Sequence, residues 1–153
     1  MSILQTENLT KIYGDGENAV HALRGINLAV EKGEFTAIVG TSGSGKSTLL
    51  HMLGGLDRPT TGKVMVDGKD IFSLSEERLT IFRRRKIGFV FQSYNLVPVL
   101  NLYENIVLPL ELDGKKIDRE YIDQIAETLG LKDRLEALPN QLSGGQQQRV
   151  AIA

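Results

Sequence analysis

The chain of 153 residues contains no cysteine, and this absence excludes several kinds of site. Neither a disulfide framework nor a thiolate-bound metal can form without cysteine. The chain also lacks an excess of one charge, since 18 basic and 19 acidic side chains leave a net charge of -1. We therefore expect no surface that coats nucleic acid, although a local phosphate site needs no global positive charge.

Long apolar runs are missing as well. No run approaches the roughly 18 residues that a membrane span requires. The N-terminal stretch MSILQTENLTKIYG lacks the basic and then apolar pattern of a signal peptide. The lack of disulfides fits a reducing compartment. We therefore expect a soluble, cytoplasmic chain with one real core, which reaches a membrane only through a partner.

Apolar periodicity predicts an α/β chain whose first part is rich in strands. Period-two patterns in residues 3–7 and 26–30 indicate antiparallel strands joined by turns. The runs FTAIVG (35–40) and IGFVF (87–91) are continuous and apolar, which predicts strands buried on both faces. The dipeptide Asp67-Gly68 predicts the turn of a hairpin.

Helix signals become more frequent later in the chain. Apolar residues at helical spacing follow the glycine-rich loop at 40–45, and Ser75 is placed to cap a second helix. Asn101 with Glu104 three residues later indicates another capped start. The segment 118–129 is amphipathic and ends at a glycine. Residues from about Val97 to Asn140 thus look like a mostly helical insert in an α/β frame.

The segment GTSGSGKST, Gly40–Thr48, fits the pattern G-x-x-x-x-G-K-S/T. Its glycines let successive backbone N–H groups face phosphate oxygens, and the following helix adds the positive end of its dipole. Lys46 supplies a charge for the β- and γ-phosphates, and the Ser47 hydroxyl can ligate Mg²⁺. A predicted strand before the loop and a helix after it favour phosphate binding over a merely flexible loop. The nucleotide-binding candidates here are Gly40, Thr41, Ser42, Gly43, Ser44, Gly45, Lys46, Ser47 and Thr48. The loop by itself leaves several classes of protein open, namely kinases, GTPases, helicases and transport ATPases.

A second anion-binding helix start is predicted at LSGGQ, Leu142–Gln146. Ser143 is placed as the N-cap and Gln146 at the third helical position, which is the spacing of a capping box. Gly144 and Gly145 leave the N–H groups of the first turn bare enough to receive an anion. An ordinary capped helix would explain this motif alone. Two such helix starts in one short chain favour anion binding.

These motifs, in their order along the chain, resemble the nucleotide-binding domain of ABC (ATP-binding cassette) ATPases. A phosphate loop, a glutamine after a later strand, a helical insert and then L-S-G-G-Q cover essentially the whole chain. The resemblance implies a P-loop NTPase with an incomplete RecA-like core, an N-terminal antiparallel β subdomain and a helical insert. It sets the β subdomain and core at residues 1–92, the insert at 93–142 and the start of the signature helix at 143–153.

The resemblance also implies roles for individual residues, with ATP and Mg²⁺ as cofactors. Tyr13 would stack on adenine, and Gln92 of FVFQ would contact Mg²⁺, the attacking water and a transmembrane partner. Lys46 and Gln92 are the catalytic candidates, while Ser47 and Gln92 are the metal candidates. Residues Ser143–Gln146 would close over ATP on the phosphate loop of a second subunit in a head-to-tail dimer.

Longer segments resemble one exporter subgroup of this family. The stretches GENAVHALRGINLAVEKGEF and MLGGLDRPTTGKV are similar to ATPases that serve lipoprotein release, macrolide export and antimicrobial-peptide resistance. The resemblance implies an ATP-binding subunit at the inner face of the cell membrane, which energises a separate permease.

Several parts of the family pattern are absent from the sequence. Family members continue into a strand that ends in Asp and Glu (Walker B), then a D-loop and a switch histidine. No acidic residue follows Glu136 here. We therefore expect a truncated chain that binds ATP poorly and hydrolyses little. We also expect it to be marginally stable, because FTAIVG and IGFVF would lack a flanking strand.

Two other function classes stay open. The first is a soluble ABC protein of translation or DNA repair, although no room exists between Gln92 and Leu142 for the long coiled coil of repair members. The second is a regulatory fragment that binds nucleotide without turnover.

Overall fold

The computed structural model describes residues 2–153, which divide into two compact units. The first unit extends to Gly88 and the second begins at Phe89. The strands of the first unit are β1 (Ser2–Tyr13), β2 (Val20–Glu31), β3 (Thr61–Val66) and β4 (Lys69–Asp70). Its helices are α1 (Lys46–Leu53) and α2 (Glu76–Lys86). The helices of the second unit are α3 (Leu102–Leu112), α4 (Arg119–Thr128) and α5 (Gly144–Ile152).

The strands of the first unit form one antiparallel sheet in the order β2-β1-β3-β4. This arrangement confirms the antiparallel strands predicted at the start of the chain. The hairpin predicted at Asp67-Gly68 is confirmed as well, since both residues have positive φ, at 51° and 73°. Positive φ at both central residues is the requirement of a tight type I′ turn.

The buried hydroxyl of Thr6 bonds to the backbone of β2 where the β1–β2 ladder is interrupted. The pairing shifts register between Thr6 and Leu9, where backbone groups would otherwise be left without partners. Thr6 is 4% exposed, and its Oγ1 donates to Ile26 O and accepts from Leu28 N, both at 2.9 Å. The side chain thus replaces the missing ladder bonds and keeps β2 in place along β1.

The core of the first unit lies between the sheet and its two helices. Leu9 and Val64 of the sheet are fully buried, together with Met52 of α1. Leu79 of α2 packs into the same cluster. The predicted cap of α2 is confirmed, because Ser75 Oγ accepts from Arg78 N at 3.4 Å. Burial against the sheet therefore fixes α1, and with it the loop that precedes α1.

The second unit is a small helical cluster with its own core. Leu102 of α3, Ala126 of α4 and Val150 of α5 are buried in that core. The capping box predicted at Asn101 and Glu104 is confirmed by reciprocal bonds of 2.8 and 2.7 Å. The helix predicted over 118–129 corresponds to α4, with Asp118 as its N-cap.

The prediction of buried strands at FTAIVG and IGFVF was wrong. Residues 35–40 and 87–91 pair with none of the strands in residues 2–153. Phe35 and Val39 are 97% and 86% exposed, so the apolar run has no covering layer on these side chains. An apolar run becomes a strand only where a neighbour completes its ladder, and the described residues place none beside either segment.

Candidate functional site

The phosphate-loop pattern folds as a loop that leads directly into α1. Gly45 is the N-cap of α1, and it has a left-handed φ of 87°. A Cβ on Gly45 would lie 2.4 Å from the carbonyl oxygen of Ala22. The close approach of β2 therefore requires glycine at this position and presses the start of α1 against the sheet. The N–H groups of the first turn of α1 have no acceptor within the helix, so they are available to an anion.

The charged end of Lys46 lies within this loop. Its Nζ donates to the carbonyl oxygens of Gly40 at 2.9 Å and Thr41 at 2.6 Å. A third contact, at 3.3 Å, reaches Ser44 Oγ. A Cβ on Gly40 would lie 2.7 Å from that same Ser44 Oγ, so the loop closes tightly around the ammonium group. These three oxygen acceptors hold the ammonium group of Lys46 inside the loop.

Tyr13 and the phosphate loop share one cleft. The β1–β2 register places Tyr13 opposite Val20, and β2 then runs past Gly45. The resulting cleft has a volume of about 340 Å³. Its lining residues are Tyr13, Val20, His21, Ala22 and 43–48. The cleft thus brings Tyr13, which is 41% exposed, together with the glycine-rich loop.

The Tyr13 hydroxyl is held by a charged neighbour that the sequence analysis missed. Tyr13 Oη donates to Asp57 Oδ2 at 2.9 Å. Burial, followed by this bond, raises the pKa of Tyr13 above its usual value. Burial would also raise the pKa of Asp57, but bonds from Lys11, Tyr13 and the Arg58 N–H outweigh it and lower that pKa. Asp57 thus stays ionised. No local pattern marks it, because Tyr13 and Asp57 lie 44 positions apart.

The capping box predicted between Ser143 and Gln146 at the start of α5 is confirmed. Ser143 N donates to Gln146 Oε1 at 2.9 Å, and Gln146 N donates to Ser143 Oγ at 3.3 Å. Gly144 and Gly145 are both exposed at the start of α5. The two glycines leave the first turn open, and the two capping side chains fix its direction.

The remaining predicted residues lie on both units. Gln92 is exposed in a turn of the second unit, which also contains the signature residues Ser143–Gln146. The phosphate loop and Tyr13 belong to the first unit. Ser47, the predicted metal ligand, lies in the first turn of α1 and lines the cleft beside Lys46.

The donor set of the loop fits a magnesium nucleotide. Within residues 2–153, no three carboxylate or imidazole side chains gather as a metal site. Mg²⁺ commonly keeps several waters and takes few protein ligands besides phosphate oxygens. One hydroxyl, Ser47, beside a glycine loop and Lys46 matches that mode of binding.

The geometry defines a phosphate-loop nucleotide-binding class of protein, and the comparisons with known proteins narrow it. The family model described as "ABC transporter" matches residues 23–153. The chain therefore belongs to the ABC transporter family. The fold agrees, since the dimeric structure of the ATP-binding cassette MJ0796 bound to ADP and Pi matches with a TM-score of 0.87. That structure is 45% identical in sequence, and the match covers 97% of this chain and 67% of that one.

Curated relatives are similar over the full length of this chain. An ABC transporter ATP-binding protein of Thermotoga maritima is 52% identical over 99% of this chain. The lipoprotein-releasing system ATP-binding protein LolD of Geobacter metallireducens is 49% identical over 99%. The macrolide export ATP-binding/permease protein MacB of Aggregatibacter actinomycetemcomitans is 46% identical over 100%. The chain spans 65%, 68% and 24% of these three relatives, respectively. None of the helices in residues 2–153 is long and apolar enough to span a bilayer.

Proposed function

We propose that this chain is the ATP-binding part of an ABC exporter and that its cleft receives MgATP. The observation that supports this proposal most strongly is that the ring of Tyr13 and the loop around Lys46 line the same cleft. Tyr13 would stack on adenine, and the loop with the first turn of α1 would hold the phosphates. Ser47 would ligate Mg²⁺, and Gln92 would orient the metal and the attacking water.

The signature helix would serve a second subunit. In this proposal α5 presents the open turn at Gly144 and Gly145 to ATP bound on the phosphate loop of another copy, in a head-to-tail dimer. The structures of MJ0796, to which this chain is similar, are dimeric and so support a dimer. The capping box between Ser143 and Gln146 supports it further, because it fixes the direction of the exposed N–H groups.

The cargo would be exported by a membrane permease at the inner face of the cell membrane. The names of the LolD and MacB relatives support export of a lipoprotein or an antibiotic, and the sequence resemblance adds a peptide. ATP binding would close the dimer, and hydrolysis would reopen it. By themselves, these 153 residues would hydrolyse little ATP, because no carboxylate follows Glu136 among them to polarise a water.

Calorimetric titration of the purified chain with MgATP tests the proposal. We expect saturable binding that falls by about tenfold or more in Lys46→Ala, since Lys46 supplies the charge of the loop. Lys63→Ala is the matched control, because Lys63 is an exposed lysine on β3 that faces Glu7 at 3.9 Å. Equal MgATP affinity in wild type and Lys46→Ala would contradict the proposal.

Because the chain spans 65% and 68% of two curated relatives, hydrolysis and assembly are tested in a protein of their full length that contains this chain. We expect ATP-dependent dimers and turnover there. Nucleotide binding without turnover would instead support a regulatory protein. Activity on ribosomes or DNA without a permease would support a soluble ABC protein.

A further inference from the structure

Asp57, Lys11 and Tyr13 contact one another in the first unit. Tyr13 Oη donates to Asp57 Oδ2 at 2.9 Å, while Lys11 Nζ donates to Asp57 Oδ1, also at 2.9 Å. Lys11 Nζ also lies 4.8 Å from the centroid of the Tyr13 ring. Neither Asp57 nor Lys11 is among the residues that line the cleft. They therefore act on the ring from outside the cleft.

Asp57 and Lys11 are themselves held in place. Asp57 Oδ1 accepts from Arg58 N at 2.7 Å, and Lys11 Nζ donates to Arg58 O at 2.6 Å. The Lys11 side chain is only 13% exposed. The Asp57 side chain is 36% exposed, so the ion pair is partly open to water, and its order comes from these several bonds together. The two side chains thus give the ring of Tyr13 a fixed support.

This support determines which part of the ring is available. The hydroxyl of Tyr13 is tethered at one end of the ring, and the chain holds the other end through β1. The ammonium group of Lys11 lies over one face. A base can then stack only on the opposite face, and the plane that it meets is set before it binds. An aromatic surface ordered in advance loses less conformational entropy when it stacks on a ligand.

We propose that Asp57 and Lys11 are positioning residues that hold the Tyr13 ring for one-sided stacking with the nucleotide base. The inference rests on the proposed function, in which Tyr13 receives adenine. A merely structural tie between β1 and residues 57–58 would make a different prediction. Such a tie would weaken the binding of every ligand alike, whereas a positioning role affects only ligands that carry a base.

The test compares MgATP with magnesium tripolyphosphate, which has the phosphates but no base, by calorimetry on the purified chain. In wild type, Lys11 donates to one carboxylate oxygen of Asp57 and Tyr13 donates to the other. Asp57→Asn keeps only one side-chain oxygen, so one of the two donors loses its acceptor. We expect MgATP affinity to fall by about fivefold to tenfold, with tripolyphosphate affinity unchanged. Tyr13→Phe removes the same bond from the other side. Its effect should therefore not add to that of Asp57→Asn in the double variant.

Asp67→Asn is the matched control. Asp67 is also paired with a lysine, since its Oδ2 accepts from Lys86 Nζ at 3.3 Å, and the substitution removes the same charge. Asparagine tolerates the left-handed φ of 51° at this turn position. We expect both ligands to bind this variant as they bind wild type.

Tyr13→Ala separates failure of the inference from failure of the proposed function. If Tyr13→Ala loses MgATP affinity and Asp57→Asn does not, the positioning role is wrong and the base-stacking role of Tyr13 stands. If Tyr13→Ala binds MgATP like wild type, base stacking itself is wrong. If Asp57→Asn weakens both ligands equally, the contact is structural and the inference is overturned.

Discussion

A Cβ atom on Gly45 would lie 2.4 Å from the carbonyl oxygen of Ala22. This relationship joins the last glycine of the phosphate loop to the backbone of β2. It leaves no room for a side chain where the loop becomes α1. The same strand places Val20 opposite Tyr13. The position of the loop relative to Tyr13 therefore depends on this contact.

Gly45→Ala should weaken nucleotide binding and lower the free energy of unfolding by more than about 2 kcal/mol. Alanine disfavours the positive φ, and its Cβ would also push the loop away from Ala22. Gly33→Ala is the control, since Gly33 has a similar φ of 84° and nothing within 4 Å of its added Cβ. We expect Gly33→Ala to lower the free energy of unfolding by only about 1 kcal/mol, because alanine disfavours the positive φ. Urea unfolding and MgATP titration measure both effects. Equal losses in the two variants would show that the contact with Ala22 is unimportant.

Asn105→Ala should destabilise the second unit by about 2–3 kcal/mol. The Asn105 amide nitrogen donates to the carbonyl oxygens of Val97, Leu100 and Asn101, and its Oδ1 accepts from Val97 N at 2.7 Å. Alanine would leave several part-buried backbone groups without partners. The measurement is urea unfolding followed by helical circular dichroism. A loss below about 0.5 kcal/mol would mean that water satisfies these groups instead.

Ser143→Ala should lower the unfolding free energy by about 1 kcal/mol, because it removes one half of the capping box on α5. Ser75→Ala removes a single cap from α2 in the other unit and should have an effect of similar size. Only Ser143→Ala should also impair ATP-dependent dimer formation in the longer protein, as measured by size-exclusion chromatography. Impairment by both variants would indicate general instability.

Stability should depend on pH through Asp57. Burial opposes ionisation of Asp57, but the pKa of its carboxyl in the folded chain lies below the ordinary value, since bonds from Lys11 and Tyr13 favour the carboxylate. A lowered folded pKa stabilises the fold at pH values above the unfolded pKa, and this contribution is lost as the pH falls through the folded value. The melting temperature should therefore fall less for Asp57→Asn than for wild type when the pH is lowered from 6 to about 3. Parallel declines would exclude Asp57 as a contributor.

Local sequence signals predicted the helices and turns well. Ser75, Asn101 and Ser143 were each predicted as caps, and each accepts a bond from an N–H three residues later. The turn at Asp67-Gly68 was predicted from its dipeptide and has the expected φ values. Such signals are reliable because the interacting groups lie within about four residues of one another.

The two apolar runs show where sequence patterns failed. FTAIVG has the composition of a buried strand, yet Phe35 and Val39 are almost fully exposed. Apolar residues favour burial, but a strand also needs backbone hydrogen-bond partners that the run cannot supply itself. The pattern therefore predicts a strand only if the rest of the structure provides its neighbours.

The sequence by itself determined the phosphate loop, the signature cap and the family resemblance, because each depends on residues close together along the chain. Only the tertiary structure decided that Asp57 meets Tyr13 and Lys11 beside that loop. These contacts join positions 44 and 46 residues apart. They arise from strand pairing and from the packing of α1 on the sheet, which bring distant side chains together in a way that no local pattern encodes.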